Sequence, residues 1–455
     1  MSRAPWIADL SKTLGDGPVQ ADPDIVASFA RDQAPLAPAG TAAALVRARH
    51  EADVVATLRF ANERKIPVIT RGAGTGLAGG ANAVDGCIIL SVAAMDRILR
   101  VDEGTRTAVV EPGVLNAVLA TEVASRGLYY APDPASREIS TIGGNIATNA
   151  GGSCCLKYGV TGDHVAALRV ILADGTPVRT GSVTAKNVAG LDLTRLVVGS
   201  EGTLGVVTEA TVRLRRAPMP ASTLVAFFSS VSDAANAIVL MEKELDLSLI
   251  EVMDRTTLMA VEKMTNMGLD TDAAAFVLVQ SDAVTAPRMI ERAEAICRSH
   301  GVRDLAASTD PDEGKQLLTA RRMALPALEK LGATLLDDVA VPKPALPDMF
   351  ARIEDIARRH ALTIGTFGHA GDGNLHPTIV WEHGDPRKEK AAYAAFDEIV
   401  RAAMDLGGTI AGEHGVGTLK QGYMRAMVGQ AERELMLRIK AAFDPNGILN
   451  PGKAI

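Results

Sequence analysis

Arg71-Gly72-Ala73-Gly74-Thr75-Gly76-Leu77-Ala78-Gly79-Gly80 follows a strand-like apolar run at 66–70. Within it, Gly74-x-Gly76-x-x-Gly79 matches the spacing of a dinucleotide-binding fingerprint, and Asp96 lies about where the ribose-binding acid would fall. That fingerprint works where it opens a helix, because the helix amino end holds the pyrophosphate. Here Ala81-Asn82-Ala83-Val84-Asp85-Gly86 comes next, with an Asp-Gly turn and no helical stripe, and a second strand-like run follows at 87–92. The pattern argues against a Rossmann nicotinamide site. Two uses remain for so many glycines. One is backbone brought close to an anion, with successive N–H groups forming a nest; the other is a tight loop with no ligand.

Two further segments favour the ligand. Pro132-Asp133-Pro134-Ala135-Ser136 leads into Ser140-Thr141-Ile142-Gly143-Gly144-Asn145-Ile146-Ala147-Thr148-Asn149-Ala150-Gly151-Gly152, small hydroxyl and amide side chains interleaved with glycine. Gly199-Ser200-Glu201-Gly202-Thr203-Leu204-Gly205-Val206-Val207-Thr208 then enters a strand. Three small-residue loops in one domain suit a long ligand lying along exposed backbone.

The chain has 455 residues, enough for two or three domains. Hydrophobic content of 47% and charged content of 22% are those of an ordinary globular protein. A net charge of −7 argues against a nucleic-acid-binding surface. No apolar run reaches the length of a membrane span, and the start, Met1-Ser2-Arg3-Ala4-Pro5-Trp6, carries no signal-peptide core. Cys87, Cys154, Cys155 and Cys297 show no metal or redox spacing. The cytoplasm is the expected compartment.

Strand-like runs at 66–70, 87–92, 107–112, 166–172, 196–199 and 205–214, with helical patterns at 51–64 and 115–126, describe an α+β domain ending near Pro218-Met219-Pro220. A second rhythm follows. Strands are expected at 224–228, 249–253, 276–280, 333–341 and 362–367, and helices at 232–245, 287–300, 312–330 and 346–359. This alternation suggests an antiparallel sheet with helices on one face. A last helix at 431–443 ends in Pro and Gly turns.

Five of the eight histidines lie between His360 and His414. In Gly365-Thr366-Phe367-Gly368-His369-Ala370-Gly371-Asp372-Gly373-Asn374-Leu375-His376-Pro377, a two-residue Asp372-Gly373 turn would set His369 directly opposite His376 on one face. Two imidazoles at that separation suit one metal ion. Glu413, in Gly412-Glu413-His414-Gly415, would add a carboxylate and leave a position open for substrate. The bland alternative is a glycine-rich hairpin with two polar surface histidines.

With these segments in view, the chain resembles flavoproteins with the vanillyl-alcohol-oxidase type of FAD domain, and among them the FAD-linked D-2-hydroxy-acid dehydrogenases. That branch holds D-lactate dehydrogenases, the FAD subunit of glycolate oxidase, and D-2-hydroxyglutarate dehydrogenase. The likeness covers nearly the whole chain, down to the ending Asn450-Pro451-Gly452-Lys453. It implies an FAD-binding domain of two subdomains over 1–217, a substrate or cap domain with an antiparallel sheet over 218–419, and a segment at 420–455 that returns to the FAD domain. It implies FAD contacts from Arg71, Gly72, Ala73, Gly74, Thr75, Gly76, Leu77 and Gly80. Further contacts are implied from Pro132, Asp133, Ser140, Thr141, Gly143, Gly144, Asn145, Ala147, Thr148 and Gly152. Glu201, Gly202, Gly205, Val206, Val207 and Asn450 complete the set. Relatives that attach FAD covalently through the first loop place His or Cys there; this loop has neither, so the resemblance implies non-covalent FAD. His164 lies outside the loop and reads as structural.

The resemblance also implies the reaction: a D-2-hydroxy acid, D-lactate or glycolate foremost, is oxidised to the 2-oxo acid with hydride passing to the flavin. Arg321 stands where such enzymes bind the substrate carboxylate, His414 is the expected base, and His369, His376 and Glu413 are the expected ligands of zinc or manganese. Asn374 reads as a support, Lys343 as a surface cation and His383 as solvent-facing. Thr378 stands where D-2-hydroxyglutarate dehydrogenases are expected to carry Asn, which counts against that dicarboxylate. With no iron–sulfur spacing, electrons are expected to leave to a separate acceptor: a quinone, a cytochrome or an electron-transfer flavoprotein. A homodimer or heteromeric complex is expected, cytoplasmic or peripheral at the inner membrane. The competing expectations are an oxidase or synthase on the same fold, and a non-catalytic FAD-binding subunit.

Overall fold

The computed structural model describes residues 4–15 and 17–455; Met1–Arg3, part of the start that was expected to carry no signal-peptide core, lie outside the described residues. The chain divides into two units. One takes Met1–Gly151, Gly159–Ala217 and Glu413–Ile455, and the other takes Gly152–Tyr158 and Pro218–Gly412. Residues 152–158 thus belong with the second unit, and the return begins at Glu413 rather than at 420.

The first unit holds two main sheets. Ala44–Arg47, Ile88–Ser91 and Val68–Arg71 run parallel, with Val19–Gln20 added antiparallel at the edge. Ile88–Ser91 is buried at every residue, as a central strand covered on both faces must be. The helix Glu51–Arg64 connects two of these strands and lies where the sequence pattern put it. The second sheet is antiparallel, in the order Ile98–Asp102, Thr107–Val110, Val206–Arg213, Val165–Ile171, Pro177–Gly181. The C-terminal segment closes the first core: Leu449 bridges Val68 in parallel, and Ile448 and Leu449 pack with Val46, Leu58 and Val68.

Two local expectations in this unit are corrected. The run at 196–199 is not a strand; Leu193–Val197 is a short helix, capped by Asp192 accepting from the Arg195 N–H. Ile142–Thr148 is a helix rather than a loop, with the Thr141 hydroxyl accepting from the Gly144 N–H. In both places the local capping side chain overrides a weak apolar or glycine signal.

The second unit is an eight-stranded antiparallel sheet. Its order is Val302–Ser308, Ser222–Phe228, Ala275–Ser281, Leu249–Asp254, Thr363–His369, Asn374–Trp381 and Ala333–Leu336, and Val339–Ala340 also pairs with Asn374–Trp381. Helices cover both faces, not one. Strands 249–254, 275–281 and 374–381 are buried almost without alternation. One face packs Leu249, Met253, Phe276, Leu278 and Phe367 against Leu258, Val261, Ala320 and Leu328. Those last residues come from Arg255–Thr265, Pro311–Arg322 and Ala324–Glu329. Helices Val231–Glu244, Ala286–Ser299, Leu346–His360 and Pro386–Asp405 contact the same sheet without entering that cluster. The expected helix at 312–330 is broken at Met323, and the expected strand at 333–341 is broken at Asp337-Asp338. The second break places Asp338 beside His376.

Candidate active site

The hairpin that carries the two histidines differs from its expected form. The loop is Ala370-Gly371-Asp372-Gly373, a 3-10 turn followed by Gly373 at φ 75°, and His369 pairs with Asn374, not with His376. Gly373 is required there, because a Cβ would also lie 2.2 Å from the Val341 carbonyl oxygen. His376 pairs with Phe367. The register has slipped by two residues, and an even slip preserves the face. The two imidazoles still meet, diagonally, with ring centroids 5.3 Å apart.

Both rings are buried and each has a carboxylate at Nδ1. His369 Nδ1 lies 2.6 Å from Glu251 Oε1, and His376 Nδ1 lies 3.6 Å from Asp338 Oδ1. The acid hydrogen-bonded at His369 Nδ1 fixes that ring's orientation and leaves Nε2 as the ligand atom, as in carboxylate–histidine–metal arrangements, while Asp338 is a close charge neighbour of His376. This donor set fits a divalent ion. Asn374 Nδ2 donates to Asp338 Oδ1 at 2.7 Å and to the Val339 carbonyl at 3.0 Å.

Arg321, in the last turn of Pro311–Arg322, is 6% exposed, which rules out a solvated helix charge. Its Nε stands 2.7 Å from Glu251 Oε2 without the alignment of a hydrogen bond, and its guanidinium lies 4.8 Å from the Phe367 ring centroid. Burial opposes ionisation of Glu251, but Arg321, His369 and a hydrogen bond from Ser153 outweigh it and hold the carboxyl below its ordinary value. Lys343 pairs with Glu242 at 2.5 Å on the surface, and His383 is exposed. Thr378 is fully buried, its hydroxyl 3.3 Å from the His376 carbonyl oxygen.

Glu413 and His414 open the returning segment of the first unit. His414 Nε2 lies 3.7 Å from Glu413 Oε1, and a Cβ on Gly151 would come within 2.3 Å of Glu413 Oε2. The next residues are clamped by Glu201, at φ 50°, whose two oxygens accept from the Val416 and Gly417 N–H groups at 2.7 and 2.8 Å. Burial pushes the Glu201 carboxyl up, against those two donors and Lys453.

The small-residue segments of this unit converge. The Arg71 guanidinium folds over Gly74, which has φ 75°; a Cβ there would lie 1.9 Å from Nη2. Its Nη1 donates to the Arg31 carbonyl. A Cβ on Gly72 would lie 2.4 Å from the Thr141 hydroxyl, so the loop 71–80 meets the helix Ile142–Thr148. Asn116 donates to the Pro132 carbonyl and to Asn145 Oδ1, and Asn145 Nδ2 donates to Ser140 Oγ. Glu201 N–H donates to the Ala147 carbonyl. Asn450 Nδ2 donates to the carbonyls of Gly80 and Glu201. Gly205 packs on Val170 at the entry to the strand Val206–Arg213. Asp133 is buried beside Pro132, and Gly202 borders Thr70 and Asn450. Of the expected cofactor residues, Gly152 alone falls in the second unit.

FAD fits this surface. Among the described residues, the buried Thr70 and Thr418 hydroxyls, the Tyr130 hydroxyl and Asn450 Oδ1 have no hydrogen-bond partner. They border the loop 71–80, the segment from Pro132 and the C-terminal return. Buried polar atoms of this kind suit a large polar ligand.

Sequence reasoning missed Glu251, Asp338 as a partner of His376, and Asp32. Asp32 accepts from Ala34 and Ala81 N–H beneath the glycine loop. Lys453, quoted only as part of the ending, donates to the Gly80 and Asn82 carbonyls, and burial pushes it down to about 8. An acid in the middle of the otherwise apolar stretch Leu249–Met253 was the available signal for Glu251.

Comparison with known proteins agrees with the expected fold. The family described as "FAD binding domain" matches residues 42–181, and "FAD linked oxidases, C-terminal domain" matches residues 217–454. "Glycolate oxidase subunit GlcD" of Bacillus subtilis (strain 168) is 42% identical over 414 residues, 90% of this chain and 88% of its own. "D-lactate dehydrogenase" of Archaeoglobus fulgidus is 35% identical over 99% of each chain. Of solved structures, p-cresol methylhydroxylase with substrate bound superposes with a TM-score of 0.81 at 18% identity, over 98% of this chain and 96% of its own, a likeness of fold alone. No helix among the described residues is long and apolar enough to cross a membrane. On the match of both domains and the identity to these relatives, the chain belongs to the FAD-linked oxidases and is an FAD-binding oxidoreductase.

Proposed function

We propose that the chain is a dehydrogenase of D-2-hydroxy acids, acting on D-lactate or glycolate, with the electrons passed on to a separate acceptor. The observation that carries this reading is the buried Arg321–Glu251–His369 arrangement, which sets a carboxylate-binding cation beside a metal-type histidine. The relatives named glycolate oxidase subunit and D-lactate dehydrogenase support it.

Arg321 binds the substrate carboxylate through the guanidinium edge that Glu251 does not engage. His369 and His376 hold a divalent ion, zinc or manganese, through Nε2, and Glu413, which follows Gly412 in the chain, supplies the carboxylate. A bound ion of this kind makes the substrate hydroxyl more acidic. His414 accepts the hydroxyl proton; a neutral imidazole suits that task near neutral pH. Bound FAD supplies the acceptor for the hydride leaving C2. Loop 71–80 holds FAD without a covalent link, having neither His nor Cys. Phe367 and the apolar cluster around it exclude water from the Arg321 side.

Substrate size follows from Thr378. Its hydroxyl is short, buried and already within reach of its own strand's carbonyl, so it offers little to the second carboxylate of a five-carbon diacid. Anaerobic mixing tests the proposal. D-lactate or glycolate should bleach the flavin, L-lactate should not, and D-2-hydroxyglutarate should bleach it more slowly. A flavin that no 2-hydroxy acid bleaches would favour a non-catalytic FAD-binding subunit.

A further inference from the structure

Glu251 has 0% side-chain exposure and is shared by two groups with different tasks. Oε1 takes His369 Nδ1 at 2.6 Å, and Oε2 takes Arg321 Nε at 2.7 Å. A third contact comes from Ser153, in the segment Gly152–Tyr158. That segment is fastened to the same unit by Lys157, whose Nζ donates to Asp282 Oδ1 at 2.6 Å, and by the Tyr158 hydroxyl on Asp282 Oδ2. The backbone of Glu251 is fixed as well. It sits in the strand Leu249–Asp254, paired with Leu278 on one side.

We infer that Glu251 is a positioning residue that sets the carboxylate-binding arginine and the ion-binding histidine in register with each other. This rests on the proposed function above. A single carboxylate has two oxygens in one plane, about 2.2 Å apart by its covalent geometry. With one oxygen on each partner, Arg321 and His369 cannot shift independently without breaking a buried charge contact, which is costly. A 2-hydroxy acid presents its carboxylate and hydroxyl on adjacent carbons. Recognition of that pair needs a cation and an ion site at a fixed short spacing, and one shared acid provides it.

The test uses FAD-loaded protein freed of metal by a chelator. Zn²⁺ affinity is measured by calorimetry. Oxalate affinity is measured by perturbation of the flavin spectrum in the zinc-loaded protein. Glu251→Gln keeps the shape and removes the charge. Its Zn²⁺ and oxalate affinities should both fall, each by about 10–100-fold, the usual effect of losing an acid behind a metal-ligating histidine, with flavin content unchanged. Glu251→Asp keeps the charge but withdraws it by one methylene, and should fall between wild type and Gln. If Glu251→Gln does not fold, Glu251→Asp decides alone: weakening of both affinities supports the inference, and wild-type values overturn it. If either variant loses Zn²⁺ affinity while oxalate binding stays at the wild-type level, or the reverse, Glu251 serves one partner only and the shared role is overturned. A wild-type protein that binds neither Zn²⁺ nor oxalate sinks the proposed site and this inference together. A wild type that binds both, with variants that match it, sinks the inference alone.

Discussion

His369 and His376 meet diagonally across their hairpin, with ring planes at 86° and centroids 5.3 Å apart, although neither is the other's strand partner. The diagonal follows from a four-residue loop; His369 is hydrogen-bonded to the buried Glu251, and the buried Asp338 lies 3.6 Å from His376 Nδ1. Chelation should therefore abolish turnover while the flavin spectrum persists, and added Zn²⁺ or Mn²⁺ should restore it. His376→Ala should copy the chelated protein. Full activity after exhaustive chelation would leave the histidines as direct hydrogen-bonding groups instead.

The proposed carboxylate-binding role of Arg321 and its burial beside Glu251 make its loss a test of binding and of stability at once. A charge-assisted contact is worth about 1.5–3 kcal/mol, so Arg321→Ala should raise KM for the hydroxy acid by roughly 10–150-fold. The same change leaves Glu251 buried without its counter-charge, a loss of about 3–5 kcal/mol in comparable pairs. The melting temperature should fall with it. Arg321→Met combined with Glu251→Gln should recover much of the melting temperature but not KM. Recovery of both would assign the arginine to packing alone.

The legible part of this fold was the part written in local patterns. Helix 51–64 shows in its flanking polar residues and Val54, Leu58 and Ala61 spacing, and the strands show as short apolar runs between glycines. The candidate site was read from the His369–His376 hairpin motif and, for Arg321, from the resemblance to the dehydrogenase family. Its supports were not. Glu251 reaches His369 across 118 positions and Arg321 across 70, and sequence spacing says nothing of such distances. Helix Arg255–Thr265 was missed because Thr256 and Thr257 weaken the pattern. The hairpin register was misjudged because Asp372-Gly373 is a strong two-residue turn signal. The wider loop is fixed instead by Gly373 against Val341, a tertiary contact.

FAD should leave the protein on acid or heat treatment. Residues 71–80 contain neither His nor Cys, and Cys154 and Cys155, which are not in a disulfide, belong to the second unit. Flavin that stays with the precipitated polypeptide would contradict this.

His414→Ala should slow flavin reduction by about 10²–10⁴-fold, the usual worth of a general base, and leave Zn²⁺ binding in place. Single-turnover mixing separates the two. Loss of Zn²⁺ with the reduction rate per loaded site unchanged would make His414 a ligand and not a base.

Asp254 supplies a stability prediction with a definite sign. It caps the helix Arg255–Thr265 by accepting from the Thr257 N–H at 2.8 Å, and its other oxygen accepts from the Thr366 N–H at 2.8 Å. Burial of the carboxyl pushes it up to about 6, against these donors. A folded-state value above the unfolded 3.8 means that the folded chain holds the proton more tightly. The associated stability is present below pH about 4 and is lost as pH rises through about 6, up to about 3 kcal/mol in all. Asp254→Asn keeps an acceptor and removes the titration. The melting temperature of wild type relative to Asp254→Asn should therefore fall between pH about 4 and about 6.5 and then level. A constant difference across that range would show that Asp254 does not titrate there, and that its two N–H donors stabilise the ionised form more than burial opposes it.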